Sequence, residues 1–271
     1  MSDNIRLVVS DIDGTLVRQD KSLSDGVVAA VQRLQDAGIA FSLISARPPS
    51  GMLWIAAKLG LTGKIAAFNG GTIVEPDGEI VFADLIEPAP AARTLVVFDR
   101  PGIEIWLFTG GKWYARTTQT AHVARERKAT NVEPVIVASF DGLLARVDKI
   151  VAISDDGLLL GQLNQEVAVA LRAAATVSRS QTYYLDVTAP LGNKGDGVAE
   201  LAASFGVPLS AVAVIGDQYN DLAMFERAGV SIAMGQAPEE VRAAATHVAR
   251  SNEDDGVADA IDRFILPALL R

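Results

Sequence analysis

The chain has 271 residues, of which 49% are apolar and none is cysteine, and it carries a formal net charge of -9. Its length favours two domains or one domain with a large insertion, and the missing cysteines exclude a disulfide framework, thiolate zinc sites and a cysteine nucleophile. The acidic balance argues against a nucleic-acid surface, which needs clustered Lys and Arg, and no apolar run approaches the roughly 18 residues of a membrane span.

The opening MSDNIR lacks the basic start and apolar stretch of a secretory signal, so a soluble cytoplasmic protein is expected. IRLVVS (5–10) and IAFSLIS (39–45) read as buried strands, and between them Val27, Val28, Val31 and Leu34 recur at helical spacing before Gly38. KIAAFNGG gives a third short strand ending in a glycine turn, and TIVEPDGEIVF reads as a hairpin about Pro76, Asp77 and Gly78. The start is β-α-β-α-β.

From 84 to 189 the pattern changes. A helix over 89–97, a hairpin IEIWLFTGGKWYAR, and strands KIVAIS and TYYLDVT around a helix over 163–174 suggest an inserted α+β domain. Its flanks, EPAP and TAPLG, suit hinges. This segment holds 11 basic and 12 acidic residues, so most of the acidity lies outside it. The last third returns to alternation: a helix over 195–205, strand AVAVIG, a helix after Asn220, strand VSIAM, and helices from about 238 and 255. The fold class is therefore α/β, with a parallel sheet covered on both faces by helices.

In open parallel sheets ligands sit beyond the carboxyl ends of the strands. Asp11 and Asp13 follow LVVS, Ser45 closes FSLIS, Asn69 follows IAAF and Asp217 follows AVAVIG, so these groups should share one rim. A calcium loop fits DIDGT poorly, since Gly14 falls at the fourth position and Ser22 at the twelfth. Asp11 as a turn cap and Asp217 as a helix cap are the other plain readings. Gathered together, Asp11, Asp13, Asp217 and Asp221 would repel unless a cation were present, and oxygen-only ligands point to a hard ion, Mg²⁺. Lys194 in GNKGDG does not match a Walker loop. It is either a surface lysine or an anion-neutralising group on the same rim.

The order DxDGT, Ser after the second strand, Lys, then GDxxND resembles the haloacid dehalogenase-like hydrolase superfamily, and FNGGTIV with the large insertion resembles its Cof-type phosphatases. The resemblance implies a Rossmann-like doubly wound core (1–83 plus 190–271) with an inserted cap domain (84–189). It implies Asp11 as the nucleophile forming an aspartyl-phosphate, Asp13 as general acid and then base, and Ser45 and Lys194 as phosphate ligands. Mg²⁺ would be held by Asp11, Asp217 and the backbone carbonyl of Asp13, with Asp221 and Asn220 supporting the metal and phosphate sites. Ala46 and Ser45 stand where many relatives have Gly and Thr. Arg47 is a phosphate contact or a surface residue. For the chain to aim both Asp11 and Asp13 at one substrate it must leave extended geometry after Asp11, which Gly14 permits.

The implied substrate is a small phosphorylated metabolite, with sugar phosphates the leading class. The alternatives are a phosphotransferase or mutase using the same intermediate, and a non-catalytic phosphometabolite-binding protein. In the insertion, Trp106, Trp113, Tyr114, Tyr183 and Tyr184 are packing groups or substrate contacts, and HVARERK (122–128) is a solvated face or an anion site. His247 reads as structural.

Overall fold

The computed structural model describes residues 5–130 and 132–267. β1 (Leu7–Ser10) is followed by α1 (Asp25–Asp36), whose N-terminus is capped by Ser24 Oγ accepting from Val27 N at 3.1 Å. Val27, Ala30, Val31 and Leu34 form its buried stripe, the 3.6-residue spacing seen in the sequence. The helix ends at Gly38, whose φ of +80° suits glycine. β2 (Ala40–Leu43) and α2 (Leu53–Lys58) follow. β3 (Ile65–Ala67), β4 (Thr72–Val74) and β5 (Ile80–Ala83) then form their own antiparallel sheet.

That is one departure from the sequence reading, in which the third strand continued the parallel sheet. Among the described residues the strand pairing of β3 with the main sheet is a single bridge between Ile44 and Ala66. The tight turn at 68–71 between β3 and β4 gives β3 an antiparallel partner within a few residues, a closure that needs no crossover.

The inserted segment opens with α3 (Pro88–Phe98), then β6 (Glu104–Thr109) and β7 (Lys112–Ala115), joined by Gly110 and Gly111. α4 (Ala121–Thr130), β8 (Val135–Ile136), β9 (Lys149–Ile153), α5 (Gly157–Leu171), β10 (Thr176–Gln181) and β11 (Tyr184–Thr188) complete it. The six strands lie in the order β10-β11-β9-β6-β7-β8. β8 and β10 were not anticipated: β8 has two residues, and β10 reads TVSRSQ, too polar to stand out.

One face of this sheet, with Ile105, Leu107, Ile150, Ala152, Leu185 and Val187, shares an apolar cluster with residues of α3 and α5. The alternate residues, Trp106, Phe108, Val151, Ile153 and Tyr184, belong instead to a cluster that includes residues of β1, α1 and α2. Period-two alternation thus gives the insertion a second apolar face directed at the rest of the chain. Trp106 and Trp113 are buried packing residues, their ring centroids 4.8 Å apart.

α6 (Lys194–Ser204), β12 (Val212–Gly216), α7 (Leu222–Arg227), β13 (Val230–Ala233), α8 (Glu239–Ala244), β14 (His247–Val248) and α9 (Gly256–Ala260) finish the chain. The main sheet is wholly parallel in the order β14-β13-β12-β1-β2. Leu7 and Val9 join the cluster containing α6 and α7 residues, and Val8 joins that containing α1 and α9 residues, so helices cover both faces. The α/β class with a parallel core and an inserted mixed sheet is the one expected. β1 lies between β12 and β2, with Leu7 opposite both Val212 and Ala40. That central register brings the ends of β1, β2 and β12 to one edge. His247 stacks on Phe264 at 4.4 Å, a packing role. Among the described residues no helix is long and apolar enough to cross a membrane.

Candidate active site

Asp11 leaves β1 with its N–H donating to the Ile215 carbonyl at 2.9 Å. Beyond it the N–H groups of Leu16 and Val17 turn back to the Ile12 carbonyl, and Gly14 takes a φ of +83°. A Cβ on Gly14 would lie 2.4 Å from an Asp217 carboxylate oxygen. Glycine therefore serves twice here, permitting the turn and letting the β12 edge carboxylate press against the β1 loop.

Asp11, Asp217 and Asp221 each offer a carboxylate oxygen within 4.8 Å of the others, and all three are buried. Lys194 Nζ donates to Asp11 Oδ1 and to Asp221 Oδ1, both at 2.5 Å. Asp221 Oδ2 accepts from the N–H groups of Asp217 and Gln218 at 2.7 and 2.8 Å, while Asp217 Oδ1 accepts from Thr15 Oγ1 at 2.8 Å. Among the described residues no hydrogen bond reaches the second oxygen of Asp11 or of Asp217. Lys194 reaches this centre because Asn193 caps α6, accepting from Asp196 N at 2.9 Å, and because Gly70 and Gly197 let the turn after β3 touch that helix. A Cβ on Gly70 would stand 2.6 Å from Gly197 Cα.

Burial pushes the Asp11 carboxyl up from 3.8 to about 7; the Lys194 charge opposes this and Asp221 reinforces it. Asp217 is also raised, by burial and then by Asp11 and Asp221. Three buried carboxylates share one lysine charge, with two oxygens uncommitted. That donor set fits a hard divalent cation and no softer one.

Asp13 stands on the other side. Arg47 grips its carboxylate with two hydrogen bonds, Nε to Oδ2 at 2.6 Å and Nη2 to Oδ1 at 2.8 Å, and Lys21 Nζ donates to Oδ1 at 2.6 Å. Burial would push the Asp13 carboxyl up, but Arg47 and then Lys21 outweigh it and hold the group well below the usual range. Its side chain lies outside the acidic cluster, so only its backbone carbonyl is left as the expected metal contact. Arg47 is 4% exposed, which removes the reading of it as a surface residue; the planar fork also donates to the Gly51 carbonyl at 2.9 Å.

Ser45 lines the same cleft as Asp11, Asp13, Arg47, Lys194 and Asn220, and its Oγ accepts from Arg47 N at 3.2 Å. Asn220 donates Nδ2 to Asn69 Oδ1 at 3.1 Å, leaving its own Oδ1 without a partner. An unpaired carbonyl oxygen cannot serve a phosphate. The same amide pair made in the opposite sense leaves an N–H₂ in its place.

The far wall comes from the insertion: Arg125 and Glu126 of α4, Lys149 of β9, Ser180 and Gln181 of β10, then Tyr183 and Tyr184. Lys149 Nζ donates to the Ala46 carbonyl at 2.8 Å, tying β9 to the loop between Ser45 and Arg47, and lies 4.9 Å from the Phe108 ring centroid. The free volume between the walls is about 50 Å³, space for a few waters. Sequence reasoning singled out the 122–128 run and both tyrosines but missed Lys21, Lys149, Ser180 and Gln181. No local pattern marks these four; the cleft exists only once the cap sheet meets the parallel sheet.

The family described as haloacid dehalogenase-like hydrolase matches residues 8–261. A Haemophilus influenzae protein provisionally named a phosphatase is 31% identical over 259 residues, 93% of this chain and 95% of its own. The 5-amino-6-(5-phospho-D-ribitylamino)uracil phosphatase YbjI of Escherichia coli is 27% identical, with 97% of each chain covered. A solved haloacid dehalogenase-like hydrolase from Bacteroides thetaiotaomicron superposes with a TM-score of 0.82 at 28% identity, over 96% of this chain and 99% of its own.

Proposed function

The chain belongs to the haloacid dehalogenase-like hydrolase family as a phosphatase of small phosphorylated metabolites, and from that premise we propose that it hydrolyses a sugar or polyol phosphate through an aspartyl-phosphate on Asp11. The observation that carries the reading is the two-sided cleft: a carboxylate held by a buried lysine on one side, and a second carboxylate held by Arg47 on the other. The E. coli relative's named substrate carries its phosphate on a ribityl chain, which supports the polyol class.

Asp11 attacks phosphorus with one carboxylate oxygen, and the bond from phosphorus to the leaving oxygen breaks as Asp13 delivers a proton to it. Asp13 then takes a proton from water, whose oxygen attacks phosphorus, releasing phosphate and restoring the Asp11 carboxylate. Ser45, Lys194, Arg47 and Asn220 hold the phosphoryl oxygens. Without substrate Asp13 is a carboxylate, since Arg47 and Lys21 face it. An arriving phosphate dianion competes for those cations and adds its own negative charge, and both changes load Asp13 with the proton it must donate. A Mg²⁺ ion held by Asp11, Asp217 and Asp221 would screen the nucleophile from the dianion and stabilise charge in the transition state.

Phosphate release from a panel of phosphorylated sugars, polyols and nucleotides, with and without Mg²⁺ and with Asp11→Asn protein as blank, tests the reading. Metal-dependent release by the wild type alone is expected. Transfer to a second alcohol with no free phosphate would identify a phosphotransferase, and binding without turnover a phosphometabolite-binding protein.

Asp13→Asn should lose about 10²–10⁴ in rate for alkyl phosphates and distinctly less for a nitrophenyl ester, whose leaving group needs no proton. Equal losses on both esters would remove the acid role.

The acidic cluster also sets a pH dependence. A carboxyl raised from 3.8 to about 7 keeps its proton in the folded state across that interval, so metal-free stability declines from about pH 4 to pH 7. Asp13, depressed, acts with the opposite sign only below 3.8. Mg²⁺ binds the deprotonated cluster. Thermal unfolding should therefore show a larger Mg²⁺ stabilisation at pH 8 than at pH 5, and a shift equal at both would contradict the assigned ligands.

A further inference from the structure

The wall contributed by the insertion holds two buried polar groups that the phosphoryl chemistry does not use. Glu126, on α4, is 8% exposed. Its Oε2 accepts from Tyr184 Oη at 3.2 Å, and among the described residues no hydrogen bond reaches Oε1. Ser180, on β10, is 7% exposed, and its hydroxyl makes no hydrogen bond among the described residues. Both line the cleft that holds Asp11 and Asp13. Neither atom is sealed from the cleft, so the carboxylate oxygen and the hydroxyl each offer a free hydrogen-bonding position to whatever occupies it.

The charges of this wall balance. Lys149 is committed to the Ala46 carbonyl and lies 3.7 Å from the fully buried Asp186. Arg125 is exposed and lies over the Tyr183 ring at 4.6 Å. Among the described residues of this wall no uncommitted buried cation remains for a second anionic group, and Glu126 would repel one.

We propose that Glu126 and Ser180 are specificity-determining residues that bind hydroxyl groups of a neutral polyhydroxylated leaving group. The inference rests on the phosphatase reading of the same cleft and adds the contacts that select the ester. A hydroxyl donating to Glu126 Oε1 supplies the solvation that burial removes, and a neighbouring hydroxyl pairs with Ser180 in either sense. Burial pushes the Glu126 carboxyl up, with Lys149 opposing, so a donor at Oε1 would relieve the carboxylate.

The test compares wild type, Glu126→Gln and Ser180→Ala on four probes with Mg²⁺: ribitol 5-phosphate, sorbitol 6-phosphate, fructose 1,6-bisphosphate and p-nitrophenyl phosphate, which has no hydroxyl. Wild type is expected to favour a polyol monophosphate over the bisphosphate. Glu126→Gln should lower kcat/KM for that polyol ester about 10- to 100-fold, the size of a lost hydrogen bond to a charged group, and Ser180→Ala by several-fold. Both should stay within about 3-fold of wild type on p-nitrophenyl phosphate, the scale of a change that removes no hydrogen bond to that ester. Equal losses on all probes, or no loss on any, in both variants would overturn the proposal. So would a preference for the bisphosphate that Arg125→Ala abolishes. Wild type that cleaves p-nitrophenyl phosphate but no polyol ester overturns this inference alone, while wild type inactive on all four overturns the phosphatase reading and the inference with it.

Discussion

Asp11→Asn should reduce phosphate release by at least about a thousandfold while leaving the protein folded, since removal of a nucleophile leaves only binding and electrostatic contributions. The amide preserves the carboxylate's volume in a position only 4% exposed, so β1 and its register with β12 and β2 need not change. Lys194 loses one partner at 2.5 Å but keeps Asp221 at the same distance, and the repulsion among the three buried carboxylates falls. Asp11→Asn should thus melt within a few degrees of wild type in the absence of metal, and its Mg²⁺ response should weaken with the loss of one ligand. Phosphate release, thermal unfolding and Mg²⁺ titration separate these effects. Activity near the wild-type level would remove Asp11 as nucleophile, whereas a large drop in melting temperature would show that the carboxylate serves the fold.

Lys194→Met should have the largest effect on stability. The ammonium is 2% exposed and bridges two carboxylates; its removal leaves Asp11, Asp217 and Asp221 buried without a counter-charge. Breaking a buried pair from one side costs about 3–5 kcal/mol, and for a chain of this size about 10 °C in melting temperature follows. The loss should be greatest at pH 8, where the cluster is ionised, and smaller at pH 5, where Asp11 and Asp217 hold protons more readily because of their burial. Mg²⁺ should restore part of the stability and little of the activity, because the metal replaces the charge but not the phosphate contact proposed for Lys194. Unfolding measured with EDTA and with Mg²⁺ at both pH values decides this. A variant as stable as wild type at pH 8 in EDTA would contradict the electrostatic account of the site.

The position of the paired carboxylates Asp11 and Asp13 was legible because the pattern that places them is local. LVVS ends at a β-strand edge, and DIDGT supplies two carboxylates and the glycine that the reversal needs. GNKGDG and GDQYND likewise carry their roles in short segments at the starts of helices and ends of strands. The expected helix and strand at each of these motifs is present within a few residues. The direction of Asp13 was not legible. Its pairing with Arg47, 34 positions away, and with Lys21 depends on how the loop after β1 packs under the turn after β2.

The sequence by itself determined the layered parallel core, the interruption by a second sheet and the set of acidic and basic groups at one rim, because apolar periodicity and turn residues act over a few positions. Tertiary structure alone decided which charges pair and what closes the cleft. Lys149 reaches Ala46 across 103 positions, and Glu126 meets Tyr184 across 58. Such contacts arise from the packing of one sheet face on another, and neither the residue types nor their spacing in the chain encodes that meeting.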